Sequence, residues 1–327
     1  MKVCIYGAGA IGGHLAARLL AYTQSEVSMV ARGRMVEGLR ARGLTLHTEG
    51  REIGGRPHHI TDDPATLAPQ DLVVVTLKAY SQSAVACQIG RLLATDGVAL
   101  FAMNGLPWWW MHGTASPGYL ERLDPGGAHW REVGAARALG AVVNSSNYVP
   151  EPGLVVHSGA KRWAIGEPDG AATPRLRRVA DLLRAAELET VESTDIRRDI
   201  WRKLMTNISG NPIAALTRLA GKDAAHVSPL DDVAMKLIAE ALEVAAAEGT
   251  DLRSEVTPEA IARPPKGRFP GKSSMLQDVE AGRPLEVEAI LGQVQAFAQA
   301  KGIPTPIIDV VYALLSGLDH SLRLAGR

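Results

Sequence analysis

Apolar and polar positions along the chain follow two different rhythms. Residues 2–6 (KVCIY), 26–32 (EVSMVAR), 71–78 (DLVVVTLK) and 98–104 (VALFAMN) are short, mostly apolar runs, and 44–48 (LTLHT) is a further extended segment. An unbroken β-branched run such as 72–75 marks a strand covered on both faces, as in a parallel sheet. Strands near 139–144, 154–157 and 163–166 are expected to complete the sheet. Leu15, Leu19 and Leu20 recur at helical spacing after the first run, and Gly50, Gly54 and Gly55 mark turns. This alternation predicts βαβ units in an open, twisted α/β sheet. After about residue 194 the strand rhythm stops. Helical patterns then occupy 195–217, 228–248, 273–282, 286–301 and 306–318, and RPPKGRFPGK at 263–272 reads as a loop. The pattern divides the chain into an α/β domain, residues 1–194, and an all-helical domain, residues 195–327. The segment 107–131 holds Trp108, Trp109, Trp110 and Trp130 without clear periodicity. Three adjacent tryptophans cannot all point one way, so at least one is expected to line a cleft or an interface, with ordinary packing as the alternative.

Composition narrows the function classes. The 327 residues carry 35 Lys+Arg against 35 Asp+Glu, so the formal net charge is zero. A balanced chain has no electrostatic case for nucleic acid or an acidic membrane as main partner. The two cysteines, Cys4 and Cys87, lack disulfide-like or metal-like spacing and fit a reducing cytoplasm. Cys4 reads as small apolar filler in the first strand. No apolar run approaches the ~18 residues of a membrane helix, and the N-terminus runs into the first strand with no signal-peptide pattern. A soluble, cytoplasmic protein is expected. The adjacent His58 and His59 lack ligand spacing, so no metal is expected.

The first strand leads into Gly7-Ala8-Gly9-Ala10-Ile11-Gly12, a GxGxxG. Its place between a strand and a helix makes it a dinucleotide cradle of the Rossmann type. Gly7 permits the tight turn, Gly9 lets a pyrophosphate approach the backbone, and Gly12 lets the helix pack on the strand. The N–H groups of the helix start, around Ala10 and Ile11, then face the phosphates. The second strand ends Val30-Ala31-Arg32, without the acid that would bind two ribose hydroxyls. Arg32, helped by Arg34, can instead pair with a 2′-phosphate. The cofactor is therefore expected to be NADPH.

Lys78 and Asn104 end apolar runs at the carboxyl edge, where open α/β sheets bind ligands. Lys78 can meet a phosphate, a ribose or a carboxylate, and Asn104 a ribose or nicotinamide edge. A surface-capping lysine and a simple Asn-Gly turn are the alternatives. In WRKLMTNISGNPIAALT, Lys203, Asn207 and Asn211 are spaced i, i+4, i+8, along one helix face. Pro212 is expected to kink or end that helix. A polar stripe of this kind is also compatible with a solvent face. As a site wall, it offers a lysine able to stabilise an alkoxide and donate its proton.

Together GAGAIG at 7–12, VVVTLKAY at 73–80, MNGLP at 103–107, WRKLMTNISGNP at 201–212 and SSMLQDVEAGRPLEVEAILG at 273–292 make the chain resemble the ketopantoate reductase (2-dehydropantoate 2-reductase) family over nearly its whole length. The resemblance implies reduction of ketopantoate to pantoate by NADPH, in pantothenate biosynthesis. It implies a Rossmann domain followed by a helical domain like that of 6-phosphogluconate dehydrogenase, with the active site between them. Catalysis then falls to Lys203 and Glu286. Substrate binding falls to Asn207, Asn211 and Ser274, and cofactor contacts to Arg32, Lys78 and Asn104. Read from the residues alone, Ser274 with Gln277 is equally a capping box, and Pro284 with Glu286 a helix start.

The chain departs from the family in three places. Gly271 stands where the family often carries an asparagine that contacts substrate. Leu285-Glu286-Val287-Glu288 replaces a common Thr-Glu-Ile-Asp, and the Trp-rich segment is long. Two other functions therefore stay open: reduction of another 2-oxo acid or an imine, and a non-catalytic NADPH-binding sensor. The sequence is compatible with a homodimer without specifying one.

Overall fold

A computed structural model of the chain describes residues 1–224, 226–263 and 271–326. Most of the basic, proline-rich segment expected as a loop, residues 264–270, lies outside the described residues. The chain divides into two compact units. Residues 1–103 with 107–196 form the first, and residues 104–106 with 197–327 form the second.

The first unit is built on a ten-stranded sheet. Its strands are β1 (Lys2–Tyr6), β2 (Glu26–Val30), β3 (Leu44–Thr48), β4 (Arg51–Gly55), β5 (His59–Thr61), β6 (Gln70–Val75), β7 (Leu93–Phe101), β8 (Ala138–Glu151), β9 (Leu154–Gly166) and β10 (Glu189–Glu192). Six of them run parallel in the order β5-β2-β1-β6-β7-β8. This is the strand order of a doubly wound dinucleotide-binding sheet, in which chain order reverses between β1 and β6. The unbroken runs in β1, β6 and β7 are buried on both faces, as parallel strands under helices must be. Leu15, Ala16 and Leu19 of the helix Ala10–Tyr22 and Val179, Ala180 and Leu183 of the helix Pro174–Ala185 share one core with Val3, Ile5, Met29 and Val74.

The remaining strands depart from the expected plan. β9 is antiparallel to β8 along one side, and along its other side pairs first with β3 and then with β10. It is one strand of 13 residues where two separate pieces were expected. Its middle, residues 158–160, is exposed and carries no apolar signal. Gly54 and Gly55, read as turn residues, lie inside β4. A Cβ on Gly54 would stand 2.1 Å from the Leu44 carbonyl oxygen, so the close approach of β3 explains the glycine.

The tryptophans also correct an expectation. Trp108, Trp109 and Trp110 are at most 2% exposed, so none of them lines an open surface. They lie in a turn, and Trp109 and Trp110 stack with ring centroids 6.4 Å apart. Trp108 stacks on His129, with ring centroids 5.0 Å apart, and meets Phe101 edge-on. Trp109 packs over Gly140, where a Cβ would come within 2.6 Å of its ring.

The helix Ala10–Tyr22 contributes His14 and Arg18 to a buried polar cluster. Arg18, fully buried, donates to His14 Nε2 at 3.0 Å and to Thr48 Oγ1 at 3.3 Å, and Thr48 in turn bonds His157 at 2.8 Å. Its guanidinium lies 3.7 Å from Glu187 and 3.9 Å from Glu49, both part-exposed. Burial beside Arg18 and His157 pushes His14 down to about 3, so the ring is neutral at ordinary pH. Cys4, buried in β1, is pushed up to about 12 by desolvation, consistent with inert filler.

The second unit is helical in its described residues. The helix Ser228–Ala247 buries Leu237, Ile238, Ala241, Val244 and Ala245, and packs against the helices Pro258–Ala262, Gln293–Lys301 and Pro306–Ala325. The carboxylate of Glu240 accepts from the Ile307 and Ile308 N–H groups at 3.0 and 2.8 Å, at the positive end of the last helix. The helix Ile196–Thr217 buries Trp201, Leu204, Met205, Ile208 and Ala215 at helical spacing. It continues through Pro212, so the expected helix end does not occur there. No helix among the described residues is long and apolar enough to cross a membrane.

Candidate active site

In the first unit the glycine-rich turn is shaped by what its residues lack. Gly7, at φ +115°, directly follows β1, and its carbonyl accepts from Thr76 Oγ1 at 2.6 Å. A Cβ on Gly12 would fall 2.0 Å from that carbonyl and 2.5 Å from the Thr76 hydroxyl, so only glycine lets helix and strand meet. A Cβ on Gly9 would meet nothing within 4 Å, so the backbone there is open to a ligand. Gly9 is the N-cap of the helix Ala10–Tyr22 and supplies no side-chain cap. The first-turn N–H groups of Ala10, Ile11 and Gly12 have no acceptor inside the helix. A diphosphate fits this cradle. Thr76 is the one residue here that sequence reading missed; a hydroxyl directly after the β6 run was the available signal.

Arg32 and Arg34 follow β2 and are exposed, and neither has an ion-pair partner among the described residues. Lys78 is the N-terminal flank of the short helix Ala79–Gln82. Its carbonyl accepts from the Ser81 N–H and hydroxyl at 3.0 and 2.9 Å, and its side chain is part-buried.

The second unit gathers a different kind of chemistry. Lys203, Asn207 and Asn211 lie on consecutive turns of the helix Ile196–Thr217, spanning about 12 Å at the α-helical rise. Desolvation lowers the Lys203 ammonium from 10.5 to about 8, partly opposed by the carboxylate of Glu286, which favours the charged form. Asn211 is buried. Asn207 Nδ2 is buried with no acceptor among the described residues, a donor whose desolvation is uncompensated until something binds.

Glu286 is 5% exposed and immediately precedes a helical stretch. Its carbonyl accepts from the Ile290 N–H at 3.3 Å, as at a helix N-cap. The helix start read at Pro284–Glu286 is thus present, but it opens with a π-turn, Glu288–Gly292, before the helix Gln293–Lys301. Ser274 opens the helix Ser274–Glu280 and is exposed. The cap is its neighbour: Ser273 Oγ accepts from the Leu276 N–H at 3.2 Å, so capping does not occupy Ser274. Asn104 also belongs to this unit. The following Gly105 has φ +81°, so the Asn-Gly turn is present, and the Leu106 N–H donates to the Ala289 carbonyl at 2.8 Å.

Residues 3–170 match the ketopantoate reductase PanE/ApbA family, and residues 195–319 match the C-terminal ketopantoate reductase PanE/ApbA family. The chain belongs to the ketopantoate reductase family. It is 38% identical over 324 residues to 2-dehydropantoate 2-reductase of Mesorhizobium japonicum, covering 97% of this chain and 98% of that one. A candidate ketopantoate reductase from Ralstonia solanacearum superposes with a TM-score of 0.91 at 32% identity, covering 98% of each chain. D-mandelate dehydrogenase, solved with NADH and anilino(oxo)acetate, shares the fold at a TM-score of 0.84 and 21% identity, over 99% of each chain. Ketopantoate reductase family membership makes the chain an oxidoreductase that uses a nicotinamide dinucleotide.

Proposed function

We propose that the protein reduces ketopantoate to pantoate with NADPH, in the biosynthesis of pantothenate. The observation that carries this reading is Lys203: a desolvated ammonium lowered to about 8, opposed by the buried carboxylate of Glu286. A proton donor works best with a pKa near the working pH. NADPH supplies a hydride to the keto carbon. Gly7, Gly9, Ala10, Ile11 and Gly12 hold its diphosphate on backbone N–H groups, and Lys78 adds a cation. Arg32 and Arg34 meet the 2′-phosphate. Asn104 holds the ribose or the nicotinamide edge.

As charge develops on the keto oxygen, the Lys203 ammonium stabilises it and donates a proton from Nζ to complete the hydroxyl. Glu286 favours the charged lysine before transfer and accepts a hydrogen bond from the substrate hydroxyl. Asn207 gives its unpartnered Nδ2 donor to the substrate, Asn211 lies one turn further along, and Ser274 holds the carboxylate. The balanced net charge and the fold suit a protein acting free in the cytoplasm, and a dimer is compatible with the Staphylococcus aureus relative, described as dimeric. The test is NADPH oxidation against a panel of 2-oxo acids. Turnover of ketopantoate well above the others supports the proposal, and no ketopantoate turnover rejects it. Arg32→Asp should sharply weaken NADPH relative to NADH; an unchanged preference in steady-state kinetics would remove Arg32 from cofactor selection.

One observation favours a second reading, reduction of a different 2-oxo acid. Gly271 offers no side chain, and a Cβ there would meet nothing within 4 Å among the described residues. A bulkier acid in the same panel is the matching probe.

A further inference from the structure

The π-turn after Glu286 has a specific local consequence. In a regular helix the Gln293 N–H would bond the carbonyl four residues earlier, at Ala289. Here it reaches back to Glu288 instead, and the Ala289 carbonyl takes the Leu106 N–H at 2.8 Å. The loop can come this close because residue 105 is glycine: a Cβ there would lie 2.2 Å from the Ala289 carbonyl oxygen, and its φ of +81° disfavours any side chain. On the other side, Asp319 of the last helix accepts from the Leu285 N–H at 2.7 Å, directly before Glu286, and is itself held by Arg323 at 2.7 Å. Tyr312 of the same helix donates to the Glu288 carboxylate at 2.8 Å. Glu286 is therefore clamped at the residue before it and two residues after it, and Asn104 lies two residues from a hydrogen bond to the same turn. π-turns within helices occur mostly where function needs an irregular backbone.

We propose that the π-turn Glu288–Gly292 is a positioning element that holds Asn104 and Glu286 in one register, with Gly105 and Asp319 as its positioning residues. Neither residue touches substrate. Both act through backbone groups, on residues whose catalytic and binding roles rest on the proposed function. Loosening the clamp weakens the hold of Glu286 on the Lys203 ammonium, so the alkaline limb of the kcat profile moves to lower pH.

The experiment compares Asp319→Ala, Asp319→Asn and Gly105→Ala with the parent chain, and Lys203→Ala and Glu286→Gln as controls. Rates are taken per folded protein, with NADPH and the best 2-oxo acid of the panel. Asp319→Ala is expected to lower kcat by ~10-fold or more, the scale of a small misplacement of reacting groups, and to shift the alkaline limb. Asp319→Asn keeps an oxygen acceptor for the Leu285 N–H and is expected to restore most of the rate and the parental limb. Gly105→Ala is expected to lower kcat similarly. Parental kcat and limb in Asp319→Ala and Gly105→Ala overturn the proposal, as does a loss of unfolding temperature with no kinetic change. If Lys203→Ala and Glu286→Gln themselves keep full activity, the proposed function fails instead, and the two failures are thereby separated.

Discussion

Two cations in this chain, Arg18 fully buried and Lys203 half-buried, have been given opposite environments. Arg18, on the inner side of the helix Ala10–Tyr22, is surrounded by acceptors: His14, Thr48, the Glu187 carbonyl, and the carboxylates of Glu49 and Glu187. A guanidinium cannot give up its proton in a protein, so this charge is fixed and can only be compensated. Lys203 can titrate, and desolvation is the larger influence on it. Glu286 opposes the effect only in part, and the pKa falls to about 8. The first arrangement fixes a charge in place; the second lowers the affinity of the lysine for its proton. Burial of a charge therefore marks function only where the group can titrate and its environment leaves it poised.

The largest expected effect lies on the titratable side. Lys203→Ala should lower kcat by at least ~10², and Lys203→Arg should not restore it, because arginine keeps the charge without a transferable proton. A near-normal single-turnover rate in either variant would erase the contrast. Arg18→Met should do the reverse. It leaves His14 and Thr48 without their buried donor, at a cost of about 3 kcal/mol in urea unfolding, while kcat per folded molecule stays parental. Loss of kcat without loss of stability would move Arg18 to the functional side.

Smaller effects sharpen the comparison through pH. With Lys203 as the proposed proton donor, kcat should fall as pH rises through about 8. Glu286→Gln removes the influence that raises this pKa, so the surviving activity should lose its alkaline limb at lower pH. A limb that stays in place would separate the two groups. In the Arg18 cluster, folded His14 stays neutral down to about 3, whereas the unfolded chain takes up a proton near 6.5. The stability from this group is full above about 6.5 and is lost as pH falls from there toward 3. His14→Gln should flatten the acid slope of the unfolding midpoint by up to ~1.4 kcal/mol per pH unit. An unaltered slope would show that other groups carry it.

The sequence made some of this legible and not the rest, for physical reasons. β1, β6 and β7 could be read because strands covered on both faces must be apolar throughout. The continuous β9 could not, because its exposed middle has nothing to bury. Gly7 and Gly12 were legible because a phosphate cradle constrains neighbouring positions. Gly54 was misread because its constraint is the Leu44 carbonyl of another strand. The same limit applies to the second unit. Lys203, Asn207 and Asn211 share a helix and announce themselves by spacing. Asp319 and Gly105 act on the Glu286 segment from distant parts of the chain, and no local pattern encodes that. Ser273 and Ser274 are adjacent and chemically identical, so only the helix geometry tells which one caps.

The tryptophan distribution has a spectroscopic consequence. Of the six indoles, Trp108, Trp109, Trp110, Trp130 and Trp163 lie in the first unit, and Trp201 alone in the second, two residues before Lys203 and fully buried. The stacked pair Trp109–Trp110, with centroids 6.4 Å apart, is close enough to exchange excitation. Replacing Trp201 with phenylalanine would confine intrinsic emission to the nucleotide-binding half. The difference from the parent spectrum then isolates a single fluorophore on the lysine helix, giving each half of the chain its own optical signal during unfolding or ligand titration.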